Sequence, residues 1–228
     1  SMSFPNATTF DYAWNGSPSL TSFGTIQAPL GANFTSAWQN CAALTSFPAG
    51  AKLGTSAENV NFTNAFRDSG LTELPAGLDM SQGSTFQSAF NSCHSLATIG
   101  SGVLFGTANA TAAVDFTSVF RTCDALVTIP ANLNLSKGND FQNAFRGCNK
   151  LVTFPAGIFD AIGTPEPNCF TNCWTACNKL SGASVFNILS SIDTSGQSAP
   201  STGPQITITY DVATGALSAA TNTAIDSL

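Results

Sequence analysis

The chain has 228 residues, of which 43% are hydrophobic and only 9% charged, and its formal net charge is −6. Eighteen Phe can fill the core of one domain or at most two, no basic field exists to gather nucleic acid, and the polar surface must be Ser, Thr, Asn and Gln. No apolar run approaches the ~20 residues of a bilayer span, so membrane insertion is not expected.

Along the chain, one phrase recurs. The opening "SMSFPNATTF" has neither the basic nor the apolar region of an export signal, and its "SFP" reads as the end of a truncated earlier copy. Anchoring each copy on its second aromatic gives Trp14, Trp38, Phe66, Phe90, Phe120, Phe145 and Trp174. Four residues before each stands Phe: Phe10, Phe34, Phe62, Phe86, Phe116, Phe141 and Phe170. Three after stands Ser17, Cys41, Ser69, Cys93, Cys123, Cys148 or Cys177, and Leu follows at six, or at five for Leu71.

Apolar residues at i, i+3, i+4 and i+7 predict about two turns of helix opening each copy. The following "LTSFP", "LVTIP" or "LVTFP" predicts a short strand stopped by Pro. Neither element can bury its apolar face alone, so the copies must stack. The fold class expected is an α/β repeat: a right-handed solenoid of about seven short helix-strand rungs with a C-terminal α/β cap. The array is placed at residues 1–182 and the cap at 183–228. Within the cap, Ala183–Asp193 reads as a helix, Gln205–Asp211 as a strand and Leu217–Leu228 as a second helix, with "DTSGQSAPSTGP" as linker.

The phrase F-x-x-A-F-x-x-C-x-x-L-x-x-F/I-P, carried over roughly residues 10 to 190, resembles the BspA-like and mycoplasma-lipoprotein-type leucine-rich repeats, and similar arrays occur in marine bacteria and their phages. The resemblance implies a surface or virion binding protein and transfers no catalytic residue. Ser17 and Ser69 in place of Cys, and "SGAS" after Leu180, depart from its pattern.

Anchor spacings of 24, 28, 24, 30, 25 and 29 residues alternate short and long copies. The added residues fall in "AGAKLGTSAENVN", "SGVLFGTANATAAVD" and "AGIFDAIGTPEPNC", expected as loops along one edge, either a binding ridge or the mark of a paired repeat unit.

Chemistry-bearing residues are few. Cys41, Cys93, Cys123 and Cys148 are expected as buried packing thiols. Cys169, Cys173 and Cys177 share a spacing of four that suits thiols, one disulfide or a metal, and no His accompanies them. His94, the single histidine, falls on a polar turn and is expected at the surface. Arg67, Arg121 and Arg146 occupy one column, either a ladder for an acidic or sugar ligand or a solvated row paired with Asp68 or Asp124. No P-loop, dinucleotide fingerprint or nucleophile elbow is present, so no enzyme, cofactor or metal is expected. The sequons at Asn6, Asn33 and Asn61 are expected by chance in so Asn- and Thr-rich a chain.

The strand face reads Thr21–Ser22, Thr45–Ser46, Thr72–Glu73, Ala97–Thr98, Val127–Thr128 and Val152–Thr153. Candidate ligand contacts are Thr45, Glu73, Thr98, Thr128 and Thr153, with Arg67, Arg121 and Arg146. A Thr-rich sheet suits neutral polysaccharide or a protein receptor; against ice stand Glu73 and the migration of Thr between two columns. The function expected is a non-catalytic recognition module, an adhesin or the receptor-binding part of a phage tail fibre or bacterial surface protein, binding a cell-surface glycan or protein. The alternative is a structural spacer of a larger surface or virion protein. Either places the chain outside the cell, on a virion or a bacterial surface, as part of a larger chain or assembly.

Overall fold

The computed structural model describes residues 2–109, 113–162, 166, 168–195, 206 and 208–209. The aromatic copies do stack. Ring centroids along the first row, from Phe10 to Phe170, lie 4.9–5.5 Å apart and nearly parallel. A second row runs from Trp14 to Trp174 at 4.7–6.5 Å. Burial of such rings is the largest apolar contribution available to this chain.

The rungs are not helical. Each aromatic segment is a run of turns, in which φ is positive two residues before and two residues after the anchor in all seven copies. The first column is Tyr12, Ser36, Asn64, Ser88, Ser118, Asn143 and Asn172, and the second is Gly16, Asn40, Asp68, Ser92, Thr122, Gly147 and Ala176. Positive φ every fourth residue closes the chain into successive turns, as where Ala37 N–H donates to the Phe34 carbonyl at 3.1 Å and Gln39 N–H to that of Ser36 at 3.2 Å. A period of four presents i, i+3, i+4 and i+7 to one side as readily as a helix does. Gly, Asn, Asp and Ser dominate the two columns because they tolerate the left-handed region best.

Half the N–H groups of each segment are thus spent on turns, and the other half cross to the next rung. Ser36 N–H donates to Thr63 O, Trp38 to Ala65 and Asn40 to Arg67; with Phe34 to Asn61, four such bonds of 2.7–3.0 Å recur at each of six interfaces. All run one way, donor in the earlier rung and acceptor in the later.

Three parallel ladders complete the wall. The longest pairs Met2–Ser3, Ile26–Ala28, Lys52–Leu53, Asp79–Met80 and Leu104–Phe105, defining a β-solenoid of about five turns. A second orders Val60–Asn61, Gly83–Thr85, Val114–Asp115 and Gly138–Asp140. The third, the one anticipated from "LTSFP", is reduced to Glu73–Leu74 with Thr98–Ile99 and the bridges Ser22↔Ser46 and Thr128↔Thr153. Met2–Ser3 joins the first of these ladders, so "SFP" does not end a strand of the "LTSFP" kind.

The long connections are therefore not free loops. The first two carry strands of two ladders, as the short connections also do, and the second and third send Phe105 and Phe159 edge-on against the two ring rows at 5.2–6.3 Å. Residues 110–112, 163–165 and 167 of these connections lie outside the described residues.

Ahead of six of the seven first Phe residues stands a side-chain acceptor that fixes the entry to the turn, Cys169 before Phe170 being the exception. Asn33 Oδ1 accepts from Thr35 N–H at 2.9 Å, Asn61 from Thr63 at 2.8 Å, Asp115 from Thr117 at 2.8 Å and Asp140 from Gln142 at 2.9 Å. The two sequons on this column are explained by that local bond rather than by a modification.

The array ends under a single helix, Gly182–Thr194, with Ser181 as its N-cap. Its side chains act as the missing next strand. Ser184 Oγ accepts from Phe154 N–H and donates to Val152 O, Asn187 Nδ2 donates to Phe154 O, and Ser191 Oγ accepts from Phe159 N–H. Val185, Ile188, Leu189 and Ile192 cover the last apolar row. Of the strand expected at Gln205–Asp211, Ile208 bridges Trp174, and the second expected helix lies outside the described residues.

Candidate functional site

The third ladder leaves two consecutive side chains per rung in solvent on six rungs, with Ala97 alone half-buried. Its inward neighbours, Leu44 and Phe47, Leu71 and Leu74, Leu96 and Ile99, Leu126 and Ile129, Leu151 and Phe154, are buried and hold the backbone in place. Register then sorts the outward residues. Glu73 faces Thr98, Ser22 faces Ser46 and Thr128 faces Thr153. One column is therefore Ser22, Ser46, Glu73, Thr98, Thr128 and Thr153. The other is Thr21, Thr45, Thr72, Ala97, Val127 and Val152, joined rung to rung by backbone bonds of 2.9–3.4 Å.

Thr45 thus stands one column away from the four residues it was grouped with, and Ser46 takes its place. The apparent migration of Thr is a change of neighbour: the second column turns from hydroxyl to aliphatic along the array. Val127 and Val152 are among the few large apolar side chains left exposed, at 41% and 39%. Glu73 is the one ionisable group in either column.

The Arg column belongs to the turn ladder. Its members in order are Asn15, Gln39, Arg67, Asn91, Arg121, Arg146 and Thr175, so a buried Asn91 separates Arg67 from the other two. Arg67 Nε lies 3.2 Å from Asp68 Oδ2, without the angle of a hydrogen bond, and Arg146 reaches Asn143 Oδ1 at 3.4 Å. These bonds are local, and the arginines do not join the Thr columns. Asp124 meets His94 Nδ1 at 2.6 Å on the surface.

All seven cysteines are buried free thiols, including Cys169, Cys173 and Cys177. Five of them donate to the carbonyl oxygen of the second aromatic one rung back: Cys41 to Trp14, Cys93 to Phe66, Cys123 to Phe90, Cys148 to Phe120 and Cys177 to Phe145, at 3.0–3.2 Å. Sequence reasoning saw a small apolar filler here and missed the donor. Burial pushes these thiols up, to about 12 for Cys93 and Cys177 and well above the usual range for Cys123 and Cys148.

Asp140 is also raised, first by partial burial and then by Asp115 and Glu166 beside it, against the stabilising bond from Gln142. Among the described residues no group of three or more His, Cys, Asp or Glu is arranged to hold a metal ion, and no helix is long and apolar enough to cross a membrane.

No family model matches the chain, and no curated protein matches it. Among solved structures it is similar to a leucine-rich repeat protein of T. pallidum, at 17% identity, covering 80% of this chain and 86% of that one with a TM-score of 0.31. At that score the likeness carries no argument about the rungs or the face.

Proposed function

We propose that the protein is a non-catalytic recognition module that binds a neutral glycan or a protein receptor on a cell surface through the two-column strand face. The observation that carries the reading is the face itself: outward residues on six rungs, hydroxyl or aliphatic apart from Glu73, on a backbone fixed by ladder bonds and a continuous core. Such a surface offers hydroxyls to a sugar's hydroxyl groups and Ala97, Val127 and Val152 to its C–H faces, with no side-chain reordering. A rigid scaffold displaying small side chains at fixed spacing is what an extended, uncharged ligand requires.

The repeat phrase supports placing the chain with the BspA-like leucine-rich repeats, hence with adhesins or the receptor-binding parts of phage tail fibres and bacterial surface proteins, outside the cell. The candidate contacts are then Ser46, Glu73, Thr98, Thr128 and Thr153 with Thr45, Val127 and Val152 beside them, and no cofactor is used. The second reading, a structural spacer, accounts equally for the unbroken stacking of both ring rows and differs in needing no privileged face.

A glycan-array screen with the intact chain separates the two. The recognition reading expects binding to neutral glycans that changes little between low and physiological salt, since almost no charge is there to be screened. Absence of any glycan or cell-surface ligand leaves the spacer.

A further inference from the structure

The charges of this acidic chain are sorted by wall. Across the last three aromatic segments, residues 116–126, 141–151 and 170–180, stand Arg121, Arg146, Lys150 and Lys179 against one acid, Asp124. That is four of the seven basic residues and a net +3 in a chain whose formal charge is −6. The first four segments hold Arg67 against Asp11 and Asp68, and Asp79, Asp115 and Asp140 lie on strands of the other two ladders. Register brings the cations together. Thr122 N–H donates to Arg146 O at 2.7 Å, which sets Arg121 and Arg146 on neighbouring rungs, and Ser181 N–H donates to Val152 O at 3.1 Å, which sets Lys179 beside Lys150. Lys150 lies in the turn that Leu151 N–H closes onto Cys148 O at 3.0 Å, the corner between the turn ladder and the strand face. Arg146, Lys150 and Lys179 are exposed and Arg121 is half-buried. The one acid of this shoulder is engaged elsewhere: Asp124 Oδ2 meets His94 Nδ1 at 2.6 Å, and among the described residues Arg121, Arg146 and Lys150 have no carboxylate partner.

We propose that this basic shoulder is a second binding surface, which takes the acidic groups of a polysaccharide chain lying across the rungs. It goes beyond the strand-face reading and does not depend on it. Charge complementarity selects a polyanion: like charges on neighbouring rungs, ~4.8 Å apart, sit within one screening length of about 8 Å and raise a positive potential that the rest of the molecule lacks. The repeat selects a sugar chain, because one rung is comparable with the length of one sugar unit, so an extended chain meets cations rung by rung. Arg121 and Arg146 offer planar forks to a carboxylate or sulfate, and Lys150 offers a point charge. Beside the lysines, Asn149 and Asn178 are exposed and present amides to sugar hydroxyls. An acidic peptide fits less well, since the exposed corner supplies no apolar groove for its side chains. A nucleic acid duplex needs more phosphate contacts than four cations make.

The test titrates the intact chain into a labelled heparin oligosaccharide, a sulfated and carboxylated sugar chain, at neutral pH and low salt, read by fluorescence anisotropy. Saturable binding is expected although protein and probe are both net negative, and it should weaken about tenfold or more near 0.5 M salt, where the screening length is roughly 4 Å. Arg146→Gln with Lys150→Gln should weaken it about tenfold or more, whereas Lys52→Gln with Lys137→Gln, the same change of net charge elsewhere on the solenoid, should leave it in place. Asp124→Asn, which keeps an acceptor for His94, should tighten it. Circular dichroism first shows each variant folded. Neutral glycans belong to the strand face, so their binding is unmoved by the Arg146 and Lys150 changes, and the two readings fail separately. Equal losses from the two double variants, no saturation by about 1 mM, or binding of polyglutamate or duplex DNA as tight as that of the oligosaccharide would overturn the proposal.

Discussion

The thiol of Cys123 donates to the carbonyl oxygen of Phe90 across 3.2 Å, from one rung to the rung before it. The same bond recurs at Cys93 and Cys148, so these thiols are neutral by construction: ionisation would remove the donor inside an apolar wall. Their folded values lie above the unfolded one, and such groups contribute stability that is complete below the unfolded pKa and lost as pH rises towards the folded one. Unfolding should therefore become easier from about pH 9 upward, by about 1.4 kcal/mol per pH unit for each thiol ionised on unfolding. Denaturant titrations at pH 7 and pH 10 check this, with native-state alkylation as the companion. Rapid modification of these thiols in the folded chain would refute their burial.

Gly83 sits where a Cβ would lie 2.2 Å from Phe86 Cζ and 3.2 Å from the Met80 carbonyl oxygen. Phe86 is held between Phe62 and Phe116 and has nowhere to move. Gly83→Ala should cost ~1–3 kcal/mol as an overpacking change, read from the shift in urea midpoint. A neutral result would mean that the ring row is loosely packed.

What could be read directly from the sequence was the stacking, because Phe and Leu columns repeated at fixed offsets have no other way to be buried. What could not be read was the local conformation. Over eight residues a period of four and a period of 3.6 place Phe34, Ala37, Trp38 and Cys41 on the same side, and the deciding signal lay elsewhere: Ser, Asn, Asp or Gly recurring two residues either side of the anchor. Those residues are poor interior helix formers and favour turns. The face was legible to within one residue. The pairs Thr45–Ser46 and Thr72–Glu73 already line up in the sequence; only the grouping of Thr45 with Glu73 as contacts crosses columns, since backbone pairing puts Ser46 in the column of Glu73. The two further ladders, which run through short and long connections alike, were hidden because each strand is two or three residues long, too short for alternation to show.

The closing helix makes its own prediction. Ser184→Ala leaves the buried N–H of Phe154 without its acceptor, and the expected loss is ~1–3 kcal/mol. Hydrogen exchange resolves it: the Phe154 amide should lose protection in the variant while amides of the central rungs keep theirs.

Asp140 performs the same local task as Asn33 and Asn61 but carries a charge beside Asp115. Asp140→Asn should keep the bond from Gln142 and relieve the repulsion. Because the carboxyl is about half exposed, solvent screening holds the gain to the order of 0.5 kcal/mol at pH 7. The sign follows from the raised folded value: the cost of the charge appears as pH rises through it, so the gain should vanish below about pH 4. Thermal melts of both proteins at pH 7 and pH 3.5 show whether the difference closes.

The most direct test of the central claim, that the two-column face is the recognition surface, compares cell or glycan binding of the native chain with a variant carrying Thr98→Lys, Thr128→Lys and Thr153→Lys. Circular dichroism must first show both folded. Three cations in one column of a neutral face should reduce binding to a neutral ligand about tenfold or more, through blocked contacts and the cost of desolvating the ammonium groups. Undiminished binding by the folded variant would contradict the assignment and move the ligand to another surface.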